Sequence, residues 1–524
     1  MRRARPIVVG LVVLVLLVAM IGAATFALVG GGSSQPRPAG HTPSPSGPVQ
    51  PMPRTPPELA AYYDQTLDWH SCENDEANDC ATMRVPLDYA HPAGESIELA
   101  LLRVPAGEPD LKVGSLVVNP GGPGAPGTSY AAAGGRAFGA ALRAHFDLVG
   151  VDPRGTGAST PVDCLSDAQL DTYLATDPYP EDGAELAELQ RQSTEIGAGC
   201  VARSGALASH VSTVEAARDL DVLRALLGQP RLDYFGASYG TELGATYAEL
   251  FPKRVGRMVL DGAVDLSAGP RALALQQATG FETALRAYVA NCVDTGNCFL
   301  GDSVDAGIAR IQKFLADVDE RPLPTNGARA LTAGNAYYGL TFPLYDRGYW
   351  SLLSLALRQA FAGNGSSMLL LADSYASRGP KGYLNNLIEA NYVINCLDDP
   401  RSIPPSQVAA QVPAFEKVAP TFGRAFAYGL SSCAGSTARS TAVVPHNAAK
   451  GAAPLLVIGT TRDPATPLRW AVALADQLSS AVLVTRDGDG HTGYHADNPC
   501  VDRTVEDYLV DGTIPAGDVD CPAP

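Results

Sequence analysis

Short apolar runs recur at residues 115–119, 146–151, 232–235, 255–260, 455–459 and 481–485. Each is too short for a helix and is bounded by glycine, proline or aspartate, which is the pattern of strands buried on both faces of a parallel sheet. Ahead of them, 83–89 and 97–104 alternate apolar with polar positions and predict an antiparallel pair. Helical spacing fills the gaps. A helix-like start covers 58–67, and 241–250 reads as a helix that stops at Phe251-Pro252. Ser212 and Glu215 form a capping box, followed by Val214, Ala217, Leu220, Leu223 and Leu227 on one face until Gly228 ends the helix. This alternation predicts an α/β protein with a mostly parallel central sheet flanked by helices.

The rhythm changes between about 266 and 443, where long amphipathic runs such as 272–291 and 352–377 replace the strands. That stretch reads as a helical cap inserted into the sheet, dividing the core into an N-terminal part, 58–265, and a C-terminal part, 444–524. Residues 30–57 are rich in Pro, Ser and Gly, a linker composition. Residues 1–29 place Arg2, Arg3 and Arg5 before an apolar stretch, 7–29, diluted only by glycine, alanine and Thr25. That stretch is long enough to cross a bilayer of about 30 Å and longer than an ordinary signal-peptide core. Thr25-Phe26-Ala27 also offers a cleavage pattern, so a cleaved signal peptide and an uncleaved N-terminal membrane anchor both fit. Either one puts the rest of the chain outside the cytoplasm, secreted or held at the cell surface.

Composition agrees with export. The chain has 524 residues, 46% hydrophobic, enough for a large core. With 38 basic against 55 acidic residues the net charge is −17, which excludes nucleic acid as an expected partner. Ten cysteines in an oxidising compartment imply disulfides. The simplest scheme joins neighbours: Cys72 with Cys80, Cys164 with Cys200, Cys292 with Cys298, Cys396 with Cys433, and Cys500 with Cys521. Cysteine and histidine do not occur at zinc-binding spacing, so neither a metal nor a cofactor is expected.

The chemistry gathers at the ends of the apolar runs. Gly236-Ala237-Ser238-Tyr239-Gly240 lies where a strand-like run meets a helix-like one, the setting of a nucleophile elbow, in which small neighbours let strand and helix approach. Gly127-Thr128-Ser129-Tyr130-Ala131 nearly repeats the motif but follows a glycine-proline loop, so Ser129 reads as an ordinary serine. The loop Pro120-Gly121-Gly122-Pro123-Gly124 follows the 115–119 strand and can bring backbone N–H groups to a substrate carbonyl. With Tyr239 N–H, that of Gly122 would form an oxyanion hole. Asp152 and Arg154, after the next strand, read as loop-fixing residues. Asp463 follows the penultimate strand, and His491 follows the last one in a glycine-flanked loop. The order Ser238, Asp463, His491 is that of an α/β-hydrolase triad. Asp261, Asp265, Asp487 and Asp489 compete as the acid and His495 as the base, but less well by position.

With these motifs assembled, the chain resembles the secreted tripeptidyl aminopeptidases of actinobacteria and, more distantly, the proline iminopeptidases of the α/β-hydrolase superfamily. The resemblance runs from about residue 60 to 524. It rests on Asn119-Pro-Gly-Gly-Pro-Gly124, Asp152-Pro-Arg-Gly-Thr-Gly157, Gly236-Ala-Ser-Tyr-Gly240, Arg462-Asp-Pro-Ala-Thr-Pro467 and Gly490-His-Thr492. The iminopeptidases carry His-Gly-Gly-Pro-Gly, whereas Asn119-Pro120 stand before the glycines here, which argues against single-proline specificity. The resemblance implies a monomeric serine exopeptidase acting on free N-termini of peptides or proteins, with Cys500 and Cys521 in a terminal domain typical of the family. Such an enzyme needs carboxylates for the substrate ammonium; Glu389 and Asp398 are the candidates, with a structural role for each as the competing reading. An esterase or lipase with the same triad is the alternative activity, and a non-catalytic binding protein on a hydrolase fold is a third reading.

Overall fold

The computed structural model describes residues 51–524 apart from 74, 441 and 443–447. The apolar segment 7–29, most of the linker and the expected boundary at 443/444 therefore lie outside the described residues. Ten strands form one sheet: β1 (His70–Cys72), β2 (Asp75–Pro86), β3 (Ser96–Val104), β4 (Gly114–Asn119), β5 (Phe146–Val151), β6 (Leu232–Ala237), β7 (Val255–Asp261), β8 (Leu455–Arg462), β9 (Ala481–Asp489) and β10 (Val519–Cys521). Their spatial order is β1-β2-β3-β5-β4-β6-β7-β8-β9-β10. The pairings among β1, β2, β3 and β5 are antiparallel, with Met83 opposite Leu99. All others are parallel. The apolar runs are continuous because both faces of the sheet are covered. Leu116 and Val118 join Phe235, Val259 and Ile458 on one side, while Val117 joins Tyr234, Leu260 and Val457 on the other.

Helices precede and follow the elbow strand and open the insertion: α1 (Asp167–Ala175), α2 (Gly183–Ser204), α3 (Thr213–Leu226), α4 (Tyr239–Leu250), α5 (Pro270–Asp294) and α6 (Val304–Glu320). Between β7 and β8 the regular structure of the described residues is helical apart from one short hairpin, Arg378–Gly379 with Gly382–Tyr383, and this insertion has its own apolar core, including Phe281, Leu285, Ile311, Phe314, Trp350, Leu353 and Met368. Tyr179, between α1 and α2, packs against that core. Thr332 Oγ1 donates to the Ala175 carbonyl at 2.8 Å. The excursion between Cys164 and Cys200 thus leans on the insertion. Sequence order alone gave no sign of that.

Two expected helices differ. The run 58–67 forms α-helix only over Ala60–Tyr63, after a single 3-10 turn at Pro57–Leu59. Gln65 instead bonds its side chain to the Tyr62 and Arg84 carbonyls and accepts from Arg84 N, so contact with β2 takes the residues that would have extended the helix. The run 352–377 is two helices, Trp350–Phe361 and Ser366–Tyr375, separated where Gly363 takes φ +88°.

The ten cysteines form five disulfides, each joining sequence neighbours as expected. They point to an oxidising, extracytoplasmic compartment. No helix among the described residues is long and apolar enough to cross a membrane.

Candidate active site

At the end of β6 the backbone turns sharply into α4, and Ser238 occupies the turn at φ 57°, ψ −126°. Its N–H donates to the Asp261 carbonyl of neighbouring β7 at 2.8 Å, which fixes the turn to the sheet. A positive φ at serine costs about 1–3 kcal/mol, so the surrounding packing must enforce it. The flanking glycines allow the approach. A Cβ on Gly236 would meet the Gly240 carbonyl oxygen at 2.3 Å, and one on Gly240 would meet Asn119 atoms at 2.9 Å.

The glycine loop after β4 lies directly against this turn. Gly121 has φ +95°, and a Cβ there would come within 2.8 Å of Ser238 Cβ and 2.9 Å of Tyr239 N. Asn119 Oδ1 accepts from Gly121 N at 2.9 Å and stiffens the loop. Gly122, at φ +109°, follows with its N–H engaged by no acceptor among the described residues. Tyr239 is the first residue of α4, where a helix has N–H groups left over. The two N–H groups can serve an oxyanion beside Ser238.

Asp463 is buried beyond β8 and held by four donors. Oδ1 accepts from Ala465 N and Thr466 N at 2.9 and 2.8 Å; Oδ2 accepts from Thr466 Oγ1 at 3.1 Å and Thr492 N at 3.2 Å. His491 Nδ1 lies 2.8 Å from Asp463 Oδ2. Its Nε2 is buried and has no partner among the described residues. The ring sits beside the elbow's anchor: a Cβ on Gly262, next to Asp261, would be 3.1 Å from His491 Cε1. Burial lowers the imidazole pKa, but the Asp463 charge and hydrogen bond, with Asp261 beyond, outweigh it and hold the group above its ordinary value.

The other acids are engaged elsewhere. Asp261 accepts from Gly493 N and Tyr494 N at 2.7 and 2.9 Å, shaping the histidine loop; burial pushes it up to about 6. Asp487 and Asp489 pair with Arg462, and Asp265 accepts from Ser267. His495 is exposed, with Nε2 3.3 Å from the Gly135 carbonyl oxygen. Arg154 is fully buried and bonds Asp219 twice at 2.7 Å and the carbonyls of Pro86, Leu87 and His210. Asp152 accepts from Thr128 and Ala158. Both fix loops.

Glu389 and Asp398 lie on the helix Leu387–Asp398, whose start covers the glycine loop. The Leu387 carbonyl and the Asn391 N–H stand where a Gly124 side chain would be, and Asn391 Nδ2 donates to the Pro123 carbonyl at 3.2 Å. Glu389 Oε1 accepts from Cys164 N and Leu165 N at 2.7 and 2.9 Å. Asp398 accepts from Thr213 N and Oγ1 at 2.9 and 2.6 Å, and that hydroxyl lies 2.5 Å from the Tyr239 hydroxyl.

Two further residues touch the triad, and a third lies one turn along α4 from Ser238. Thr466 Oγ1 bonds Asp463 and lies 3.2 Å from His491 Nδ1; the Asp463-Pro-Ala-Thr466 run signalled it. Tyr345, from the insertion, accepts from His491 N at 2.7 Å and sets its ring edge-on to the imidazole with centroids 5.5 Å apart. No motif marked it. Glu242, one turn beyond Ser238 in α4, makes no hydrogen bond or ion pair among the described residues. Burial, then the charges of Asp398 and Asp399, raise its pKa. Arg401 pairs with Asp399 at 2.6 Å, leaving Glu242 and Asp398 uncompensated.

Known proteins of related sequence are hydrolases. Residues 419–521 match the family described as "TAP-like protein". The chain is 35% identical over 477 residues to serine protease Hip1 of Mycobacterium tuberculosis, covering 87% of this chain and 91% of that one. It is 34% identical over 473 residues to carboxylesterase B of the same organism, covering 86% and 89%. It is 30% identical over 467 residues to the tripeptidyl aminopeptidase of Streptomyces lividans, covering 87% and 86%.

Proposed function

The chain belongs to the TAP-like family of α/β-hydrolase serine hydrolases, and on that premise we propose that it is an exported exopeptidase releasing short peptides from free N-termini of peptides or proteins. Ser238 Oγ attacks the scissile carbonyl while His491 Nε2 takes its proton; Asp463 holds the imidazole tautomer and the positive charge that forms. The tetrahedral oxyanion lies between the N–H groups of Gly122 and Tyr239, each worth about 2.7–4 kcal/mol. His491 then gives its proton to the leaving amine. Water, deprotonated by the same imidazole, hydrolyses the acyl-enzyme.

The observation that carries the aminopeptidase reading is the uncompensated pair Glu242 and Asp398 beside Tyr239, the residue after the nucleophile. A carboxylate held in a protein interior without a cation suits a substrate ammonium and is poorly matched to an acyl chain. Glu389 and Asp398 each already accept two hydrogen bonds, from Cys164 N and Leu165 N and from Thr213 N and Oγ1, so Glu242 is the freest of the three acids. The released length, three residues, rests on the similarity to the tripeptidyl aminopeptidase.

A second reading, a carboxylesterase, is favoured by the similarity to carboxylesterase B. To separate them, free and N-acetylated tripeptide amides are compared with short-chain and long-chain esters. The peptidase reading expects the free tripeptide to be cleaved and its acetylated form spared. Turnover of blocked peptides or of long-chain esters alone would sink it. A fluorophosphonate probe that labels the wild type but not Ser238→Ala tests the nucleophile separately; folded, unlabelled wild type would end the serine-enzyme mechanism.

A further inference from the structure

Tyr345 is one of five tyrosines that the fold brings together from four segments. Tyr337 and Tyr338 lie on the helix Ala333–Thr341, Tyr345 ends the short turn Phe342–Tyr345, Tyr375 ends the helix Ser366–Tyr375, and Tyr173 comes from α1. Tyr338 stacks on Tyr375 with ring centroids 4.9 Å apart and meets Tyr337 edge-on at 5.7 Å. The hydroxyls form one group, because a charge on Tyr375 would be felt at Tyr173, Tyr337, Tyr338 and Tyr345 alike. Tyr345 joins this group to the triad through its edge-on contact with His491.

The rings are packed and the hydroxyls are free. Tyr288, Tyr383 and Tyr392 of the same insertion each donate or share a hydrogen bond, whereas none of these five hydroxyls has a partner among the described residues. The Tyr179 hydroxyl is unpartnered and sealed from solvent; the five are unpartnered and open to it. Burial is nonetheless the largest influence on each and pushes all five above the ordinary tyrosine range. Enclosed rings with wet hydroxyls describe a recess within the molecule. It is nearly without charge: the one ionised group acting on any of the five is Asp463, on Tyr345.

The direction of the chain past His491 says what such a recess can hold. The imidazole gives its proton to the leaving amine, so the leaving segment departs beside that ring, where Tyr345 touches it. The substrate ammonium is held elsewhere, by Glu242 and Asp398 beside Tyr239. We propose that Tyr173, Tyr337, Tyr338 and Tyr375 line a subsite for the first side chain of the leaving peptide, and that this subsite selects a large uncharged side chain, above all an aromatic one. The inference rests on the peptidase reading. An aromatic side chain gains ring contacts of the kind these tyrosines already make with one another, and the free hydroxyls can accept a phenol O–H or an indole N–H. A lysine or glutamate would surrender its water for phenol hydroxyls and meet no opposite charge.

The test uses the full chain and a series of free tetrapeptide amides, Ala-Ala-Ala followed by Phe, Tyr, Lys or Glu. The acyl part is common to all four, so kcat/KM is read, since a shared acyl-enzyme would level kcat. Phe and Tyr should exceed Lys and Glu by about 10- to 100-fold. Tyr375→Ala should reduce that ratio to below about threefold, and Tyr375→Phe, which keeps the ring, should restore the preference for Phe. If Tyr375→Ala fails to fold, the wild-type series decides alone. Equal kcat/KM across the four peptides overturns the subsite and leaves the peptidase reading standing. Cleavage of none of them, with Ser238 labelled by a fluorophosphonate, ends the peptidase reading and the subsite together. An equal loss for all four in folded Tyr375→Ala also overturns the proposal, as does a preference that follows the third residue of Ala-Ala-Xaa-Ala amides instead of the fourth, which would put the recess on the acyl side.

Discussion

Arg154, in the core beside β2 and α3, is completely buried and donates five hydrogen bonds, two of them to Asp219. Glu242, where α4 meets the inserted helices, is partly buried and makes none among the described residues. The same contrast separates larger groups. Asp221 lies between Arg224 and Arg254, and Asp463 faces His491. Asp177, Glu185 and Asp319 have no cation among the described residues. Charge within the sheet's own layer is matched by the chain itself, whereas along the seam with the insertion some acids are matched, as Asp171 is by Arg378, and Glu242 and the three acids near Asp177 are not. The first kind holds the scaffold, since a buried charge deprived of its partner is strongly destabilising. The second kind costs stability while unpaired and is understandable where a ligand supplies the counter-charge.

The largest expected effect tests the matched side at its catalytic end. Asp463→Asn should lower kcat by about 10⁴-fold while the fold persists, because the amide presents the wrong partner to His491 Nδ1. His491 must be neutral to accept the Ser238 proton, so a raised pKa makes activity fall on acidification, with the acid limb of kcat/KM lying above about 6.5. The Asp463 charge and hydrogen bond raise that pKa and burial lowers it. The residual activity of Asp463→Asn should therefore show its limb at lower pH. A limb that stays in place would mean that another group governs it.

Arg154→Met comes next and tests the structural end. It leaves Asp219 buried without its partner and should destabilise the chain by about 3–5 kcal/mol, read by denaturant unfolding. Glu242→Gln should do the opposite. With no partner to lose, it should leave stability unchanged or higher, yet raise KM for a free tripeptide amide about 10- to 100-fold, the worth of a charge-assisted hydrogen bond. Ester turnover should not change. Loss of stability in Glu242→Gln would place Glu242 with Arg154 and dissolve the contrast.

The two sides were unequally legible in the sequence. Parallel strands buried on both faces must be apolar throughout, so 146–151 and 255–260 could be read almost to the residue. A serine forced to positive φ needs its flanking glycines, so the elbow was written locally. Asp463 and His491 could be placed because each follows directly from a strand end. The insertion offered no such constraint. Its amphipathic runs tell that a helix has an apolar face, but not which surface that face covers. The leaning of the Cys164 to Cys200 excursion on the insertion was therefore hidden. So were Tyr345 against His491, Glu242 beside Asp398, and Asp177 against Asp319, contacts between residues distant in sequence with no motif around them. Gln65 shows the same effect inside the core, where contact with β2 overrode a local helical pattern.

Tyr345 yields the smallest effect and addresses whether the insertion only covers the site or also tunes it. Two contacts join it to His491, and they separate cleanly on mutation. The backbone carbonyl accepts from His491 N whatever the side chain, so Tyr345→Leu keeps that bond and removes only the edge-on ring contact. An aromatic contact of this kind is worth about 0.5–1.5 kcal/mol. If the ring steadies the imidazole over Ser238, kcat should fall about 3- to 10-fold for tripeptide amides and for small esters alike, because both use the same histidine. If the ring instead lines the substrate path, KM for the peptide should change and ester kcat should not. Tyr345→Phe separates the ring from its hydroxyl and should retain wild-type kcat, since the T-shaped contact needs only the ring. A full loss of activity in Tyr345→Leu, with Ser238 still labelled by a fluorophosphonate, would move the insertion from tuning the triad to assembling it.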